Sequence, residues 1–197
     1  MAQATTIAVI AVRIAEFVGF AELAATKPFE ERFNLIGSIH DRLAREVDSA
    51  GGSLGRNSGE SLMATFGATT PTGGDAWRAL RCSCAMVQAA DEFNAIELNG
   101  NGSSIRVTIG VHYGSVPLGN IGCERRLDVA VAGEVRNVAS RLEEIAKLLN
   151  SNLVASHEVM LKAHIEMAGK ENLVPILCAR TRLGFLGLAE HETIWTL

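Results

Sequence analysis

Asn137 and Arg141 stand four residues apart in the segment GNIGCERRLDVAVAGEVRNVASRL, Gly119 to Leu142. On a helix that spacing sends both side chains from one face. An amide beside a guanidinium orients a sugar through hydrogen bonds and neutralises a phosphate through a planar fork. The pair therefore suits a phosphorylated sugar. Their alternative role is that of two polar residues on a solvated helix face.

Certain elements must hold that pair in place. The segment reads as a glycine-rich turn, a short strand near Asp128 to Ala132, a turn at Ala132-Gly133, and a helix from Glu134 to Leu149. Upstream, the β-rich run Ile7 to Ile14 predicts a central strand. Pro28 opens a helix to about Ser49, with Phe29, Phe33, Ile36, Ile39 and Leu43 at helical spacing. Gly51-Gly52 stops it. Ser53 to Asn57 and Leu62 to Phe66 read as two short strands around a turn at Ser58-Gly59. Asp75 to Ala95 reads as a helix capped by Asp75, and Ile105 to Val111 as a strand. Asn152 to Ala155 is a strand, Ser156 to Ala163 a helix capped by Ser156, and the tail from Leu173 holds two or three strands. Strand pairs joined by short turns, interleaved with helices, predict an α+β sandwich: a mainly antiparallel sheet with helices packed on one side.

Composition sets the outer bounds. A chain of 197 residues fits one domain, 1–197, with a real core. A net charge of -4 argues against a duplex nucleic-acid partner, and 5% aromatic residues argue against a stacking platform for single strands. No nucleic acid is expected. Thr6 to Val12 is too short to span a bilayer, so no membrane insertion is expected. Cys82, Cys84, Cys123 and Cys178 form no C-x-x-C pair, and the expectation is reduced thiols in the cytoplasm. His112 reads as a packed strand residue, since no second histidine lies near it.

Five segments resemble, in order and spacing, those of class III nucleotidyl cyclases. They are Ala15-Glu16-Phe17-Val18-Gly19-Phe20-Ala21; Gly51-Gly52 through Glu60 to Gly67; Ile109-Gly110-Val111-His112-Tyr113-Gly114; Gly119-Asn120-Ile121-Gly122 with Arg125-Arg126 and Asp128; and Asn137-Val138-Ala139-Ser140-Arg141. The resemblance covers nearly the whole chain.

It implies a head-to-tail homodimer, or pairing with a related cyclase protomer, with each site shared between two chains. The reaction it implies is attack of a ribose 3′ oxygen on the α-phosphate of a nucleoside triphosphate, releasing pyrophosphate. Glu16 and Glu60 fall where the family holds two metal-binding aspartates, and so stand for a two-ion site for Mg²⁺ or Mn²⁺. Asn137 and Arg141 fall on the catalytic pair. Arg56 and Ala130 fall on the base-reading pair, and Gly19 and Phe20 where backbone N–H groups cradle phosphates.

Several of these positions depart from the family pattern. Glutamate adds a methylene at both metal positions. Ala130 offers no side-chain hydrogen bond, which leaves the base unassigned, a pyrimidine included. Arg56 is a base reader or a surface hairpin charge. Leu186 stands where the family often has a triphosphate-holding lysine. Two functions follow from the resemblance: a cyclase of low activity, or an inactive homologue serving as a nucleotide-binding, dimerisation or regulatory module.

Overall fold

Two long strands run through the middle of the computed structural model. It describes residues 5–18, 25, 27–55, 61–68, 71–98, 104–118, 134–167, 178–183 and 192–197, with the backbone alone for 5–18, 116–118, 178–183 and 192–193. β1 (Thr5–Val18) and β4 (Arg106–Leu118) are rich in Thr, Ile and Val, which suit a pleated surface. They pair antiparallel from Thr5↔Leu118 to Val18↔Arg106. Both strands outrun the limits expected from sequence, Ile14 for the first and Val111 for the second.

The other described elements are α1 (Phe29–Ser49), β2 (Ser53–Leu54), β3 (Leu62–Phe66), α2 (Asp75–Glu97), α3 (Glu134–Leu148), β5 (Leu153–Ser156), α4 (His157–Glu166), β6 (Cys178–Leu183) and β7 (Glu192–Thr196). The seven strands form one sheet in the order β2-β3-β1-β4-β5-β7-β6. Every pairing among them is antiparallel except β4–β5. That exception has a topological cause. The chain crosses from β4 to β5 through α3, and a crossover helix returns the next strand parallel.

The sheet is covered on both faces. Val107, Ile109 and Val111 of β4 join one core with Leu153 and Ala155 of β5 and the buried sides of α1, α2 and α4. Alternate residues face the other way, as strand geometry requires. Val154 and Ile194 pack there against Leu142, Ile145 and Ala146 of α3. The expected α+β class stands. The placement of all helices on one side does not, because α3 lies on the opposite face from α1, α2 and α4.

Helix ends follow local chemistry. Gly51 takes φ +69° just past α1, and the N–H groups of Gly51 and Gly52 close onto the carbonyls of Asp48 and Val47. That is a Schellman stop. Ser156 caps α4 as expected, accepting from the Val159 N–H at 3.4 Å. Asp75 does not cap α2. The N-cap is Gly74, and the Asp75 carboxylate accepts instead from the N–H and hydroxyl of Thr72 and from Arg78. The start of α2 is held from outside, since the Trp77 N–H donates to Glu166 at the end of α4 at 3.1 Å. Along α1, Ile39, Leu43 and Val47 are buried, whereas Phe29 and Phe33 are exposed. The apolar stripe is continuous in sequence, but the core meets only its C-terminal half.

Gly37 and Gly110 make a contrasting pair of tests. Gly37 is exposed in mid-helix with open space around it. Gly37→Ala should stabilise the fold by up to about 1 kcal/mol. A Cβ on Gly110 would overlap the Ala139 carbonyl oxygen and lie 2.5 Å from the Glu143 nitrogen. Gly110→Ala should therefore cost about 3 kcal/mol or more. Urea unfolding of both variants measures the difference, and equal stabilities would contradict the packing described.

Candidate functional site

α3 reaches β4 at two glycines. Gly110 lies beneath Ala139 and Glu143, and Gly114 beneath Val135, whose Cγ2 would be 2.6 Å from a Cβ on that glycine. At Gly110 the strand meets helix backbone directly, and at Gly114 it receives the Val135 side chain. The inward face of α3 carries Val135, Ala139, Leu142 and Ala146, at the three- and four-residue steps of a buried helix face. The outward face carries Asn137 and Arg141, both exposed. The structure thus brings the predicted amide and guanidinium onto one solvent-facing surface. Glu134 in the first turn and Lys147 in the last complement the helix dipole.

A buried acid seats the same helix. Glu143 is 2% exposed. Its Oε1 accepts from the Thr108 hydroxyl at 2.7 Å and meets Lys147 Nζ at 3.2 Å. Sequence reasoning missed this residue. The signal was present: Glu143 follows Arg141 by two residues, about 200° around the helix, so when one faces out the other faces in.

Glu16 lies in β1, where the pairing with β4 shifts register between Ala15 and Phe17. It is the extra residue of a bulge, a device that re-aims a side chain. β1 pairs with β3 as far as Ile14↔Leu62. Glu16 comes two residues after the first of these and Glu60 two residues before the second. Glu60, Arg56, Ala130, Gly19 and Phe20 lie outside the described residues, as do Leu186 and the expected strand near Asp128. Among the described residues no cluster of three or more His, Cys, Asp or Glu is placed to hold a metal, and no helix is long and apolar enough to cross a membrane.

His112 is packed, as expected. Its Nδ1 lies 2.9 Å from Ser156 Oγ and 3.8 Å from Glu158. Burial lowers its pKa below the usual histidine value, against the opposing pull of Glu158 and Glu134. Cys82 and Cys84 are free thiols. Burial, with Glu46 and Cys84 nearby, pushes the Cys82 thiol up to about 12, so it is not a reactive thiolate.

A sheet of this order, a crossover helix laid on two strand glycines and an outward Asn–Arg pair together define a class. The model of the adenylate and guanylate cyclase catalytic domain matches residues 2–176. This chain belongs to that family, the class III nucleotidyl cyclases. It is 30% identical over 146 residues to an adenylate cyclase of Anabaena cylindrica, covering 72% of this chain and 28% of that protein. It is 26% identical over 141 residues to adenylate cyclase 1 of Rhizobium meliloti, covering 72% and 21%. The chain thus spans about a quarter of these relatives' length. Among solved structures, the guanylyl cyclase Cya2 superposes with a TM-score of 0.79 at 23% identity, over 98% of this chain and 92% of that one. The adenylyl cyclase CyaB from P. aeruginosa gives 0.77 at 20% identity, over 99% and 95%. At such identities the likeness is one of fold.

The histidine environment sets a pH dependence. The folded pKa of His112 lies below its unfolded value, so between the two the unfolded state holds more protons. The contribution is complete above about pH 6.5 and is lost as pH falls toward the folded value. Urea unfolding from pH 7.5 to 5.5 should show falling stability, with a shallower slope in His112→Gln. An unchanged slope would contradict this assignment.

Proposed function

We propose that the chain is a single catalytic module that converts a nucleoside triphosphate to its 3′,5′-cyclic nucleotide and pyrophosphate, in a site completed by a second copy. The observation that carries this reading is the outward placement of Asn137 and Arg141 on α3. Arg141 faces solvent on the far side of a helix about 10 Å thick, whereas Glu16 lies in the sheet beneath. A head-to-tail partner lets one nucleotide meet the carboxylates of one chain and the amide and guanidinium of the other.

The roles follow from side-chain chemistry. Asn137 orients the ribose. Arg141 meets the charge that grows on the α-phosphate. Backbone N–H groups at Gly19 and Phe20 hold phosphate oxygens, and Arg56 and Ala130 border the base. Two carboxylates fit a hard divalent ion, and the bulge at Glu16 suits a side chain that must be re-aimed. Glu16 and Glu60 would hold Mg²⁺ or Mn²⁺. Such ions neutralise phosphates and acidify the ribose hydroxyl. The free, unreactive Cys82 thiol is in keeping with a reducing, cytoplasmic compartment.

A second reading is an inactive homologue used for nucleotide binding or regulation. Glutamate at both metal positions and alanine at position 130 favour it. Incubation with each of the four triphosphates and Mn²⁺, with cyclic product read by mass spectrometry, decides between the two.

Arg141 gives the sharpest prediction. Arg141→Ala should lower kcat about 100- to 1,000-fold and weaken nucleotide binding far less, because the guanidinium acts on charge present only in the transition state. Arg141→Lys should recover only part, lacking the planar fork. Steady-state kinetics beside nucleotide titration makes the comparison, and an unchanged kcat in Arg141→Ala removes the residue from catalysis.

The carboxylates give another prediction. Mn²⁺ should outperform Mg²⁺, and aspartate at both Glu16 and Glu60 should raise turnover with Mg²⁺, whose geometry is the stricter. No product from the double variant would favour the inactive homologue.

A further inference from the structure

We infer that Glu143 is a positioning residue for Arg141 and Asn137, acting through the seat of α3 on β4; the inference rests on the cyclase reading of that pair. At Gly110 the two backbones meet, and the Glu143 Cβ itself would be only 3.1 Å from a Cβ on that glycine. At that point no apolar side chain fits between the two; the apolar contacts of α3 lie to one side, where Leu142, Ile145 and Ala146 meet Val154 and Ile194. Position 143 instead carries a carboxylate, almost wholly buried, that reaches along β4 to the Thr108 hydroxyl.

A hydrogen bond is directional where apolar packing is not. At 2.7 Å from a side chain fixed in the central strand, this bond sets both the rotation of α3 and its position along β4. Lys147, one turn further on, meets the same oxygen and supplies the opposite charge that a buried carboxylate requires. Arg141 and Asn137 ride on the other side of this helix, two and six residues before Glu143. A rotation of α3 by 10° moves an atom about 6 Å from the axis by about 1 Å, and misplacement of that size costs on the order of 100-fold in rate at a demanding site. Burying an ion pair gives little net stability compared with an apolar pair of the same shape. Glu143 therefore contributes to where the helix sits more than to how stably the protein folds.

The test uses the full chain with Thr108→Val, which removes only the hydroxyl donor, and Glu143→Met, which keeps length and removes both oxygens. Thr108→Ser, which keeps the donor, is the rescue control. Turnover is measured with Mn²⁺ and the triphosphate that the wild type uses best, well below the melting temperature. The expected result is a roughly tenfold or larger fall in kcat for Thr108→Val and Glu143→Met, with KM within about twofold and Thr108→Ser near wild type. Glu143→Met takes this acceptor from the buried Thr108 hydroxyl and the anion from Lys147, so it should also lose stability, and its turnover is compared at a temperature where it remains folded. Amide hydrogen exchange should quicken across Glu134–Leu148 and not in α2. Unchanged kcat in both folded variants overturns the inference, whatever happens to their melting temperatures. If the wild type makes no cyclic product from any triphosphate, the cyclase reading fails instead. The exchange measurement then stands alone: quickening confined to α3 keeps Glu143 as the residue that seats the helix, and unchanged exchange overturns that too.

Discussion

Where Gly110 faces α3, strand backbone meets helix backbone with no side chain between them. Much of the structure depends on that contact. It brings α3 close enough for Glu143 to bond Thr108, and Gly114 leaves room for the Val135 side chain nearer the start of the helix. With those points fixed, the helix has one rotation at which Val135, Ala139, Leu142 and Ala146 are covered. At that rotation Asn137 and Arg141 face solvent. Any side chain at position 110 would lift the helix and turn both away together. The exposed surface that carries Asn137 and Arg141 is therefore set by glycines on the strand beneath it.

Among the described residues α3 is the helix on its face of the sheet. The larger core, with α1, α2 and α4, lies on the opposite side of the sheet and needs nothing from α3. The outer surface of α3 carries the exposed Asn137 and Arg141. Within one chain the backbone of Glu16 lies in the sheet and Asn137 and Arg141 lie on the outer surface of α3, and the proposed shared site would join the two across a partner. The glutamates fit the same account. Each carries its carboxylate about 1.5 Å further from the backbone than aspartate would. A bulge at Glu16 is a local means of taking up such a difference.

Much of this was legible in the chain. Ser156 announced its helix through its own hydroxyl, Gly51-Gly52 ended α1 as glycines do, and the spacing of Asn137 and Arg141 placed both on one face. Three features were not legible, because each depends on which of several contacts the folded chain makes. Phe29 and Phe33 keep the apolar period of α1, yet periodicity names a face and not how far the core extends along it. Asp75 has the chemistry of a cap, but Thr72 and Arg78 claim its carboxylate first. Glu143 has the charge of a surface residue, and although its helical spacing from Arg141 turns it inward, its buried partner Thr108 lies on a strand 35 residues away. Of the residues assigned to the site by resemblance, Asn137 and Arg141 are placed with their side chains and Glu16 by its backbone.

The central claim is that the site belongs to two chains, and mixing two damaged ones tests it most directly. Glu16→Ala and Arg141→Ala each destroy both sites of their own homodimer. A heterodimer of the two keeps one site intact, with its carboxylates from one chain and its guanidinium from the other. With random pairing half the dimers are mixed and each holds one good site of two, so an equal mixture should regain about a quarter of wild-type turnover. Turnover in the mixture no higher than the sum of the two variants alone would contradict the shared site.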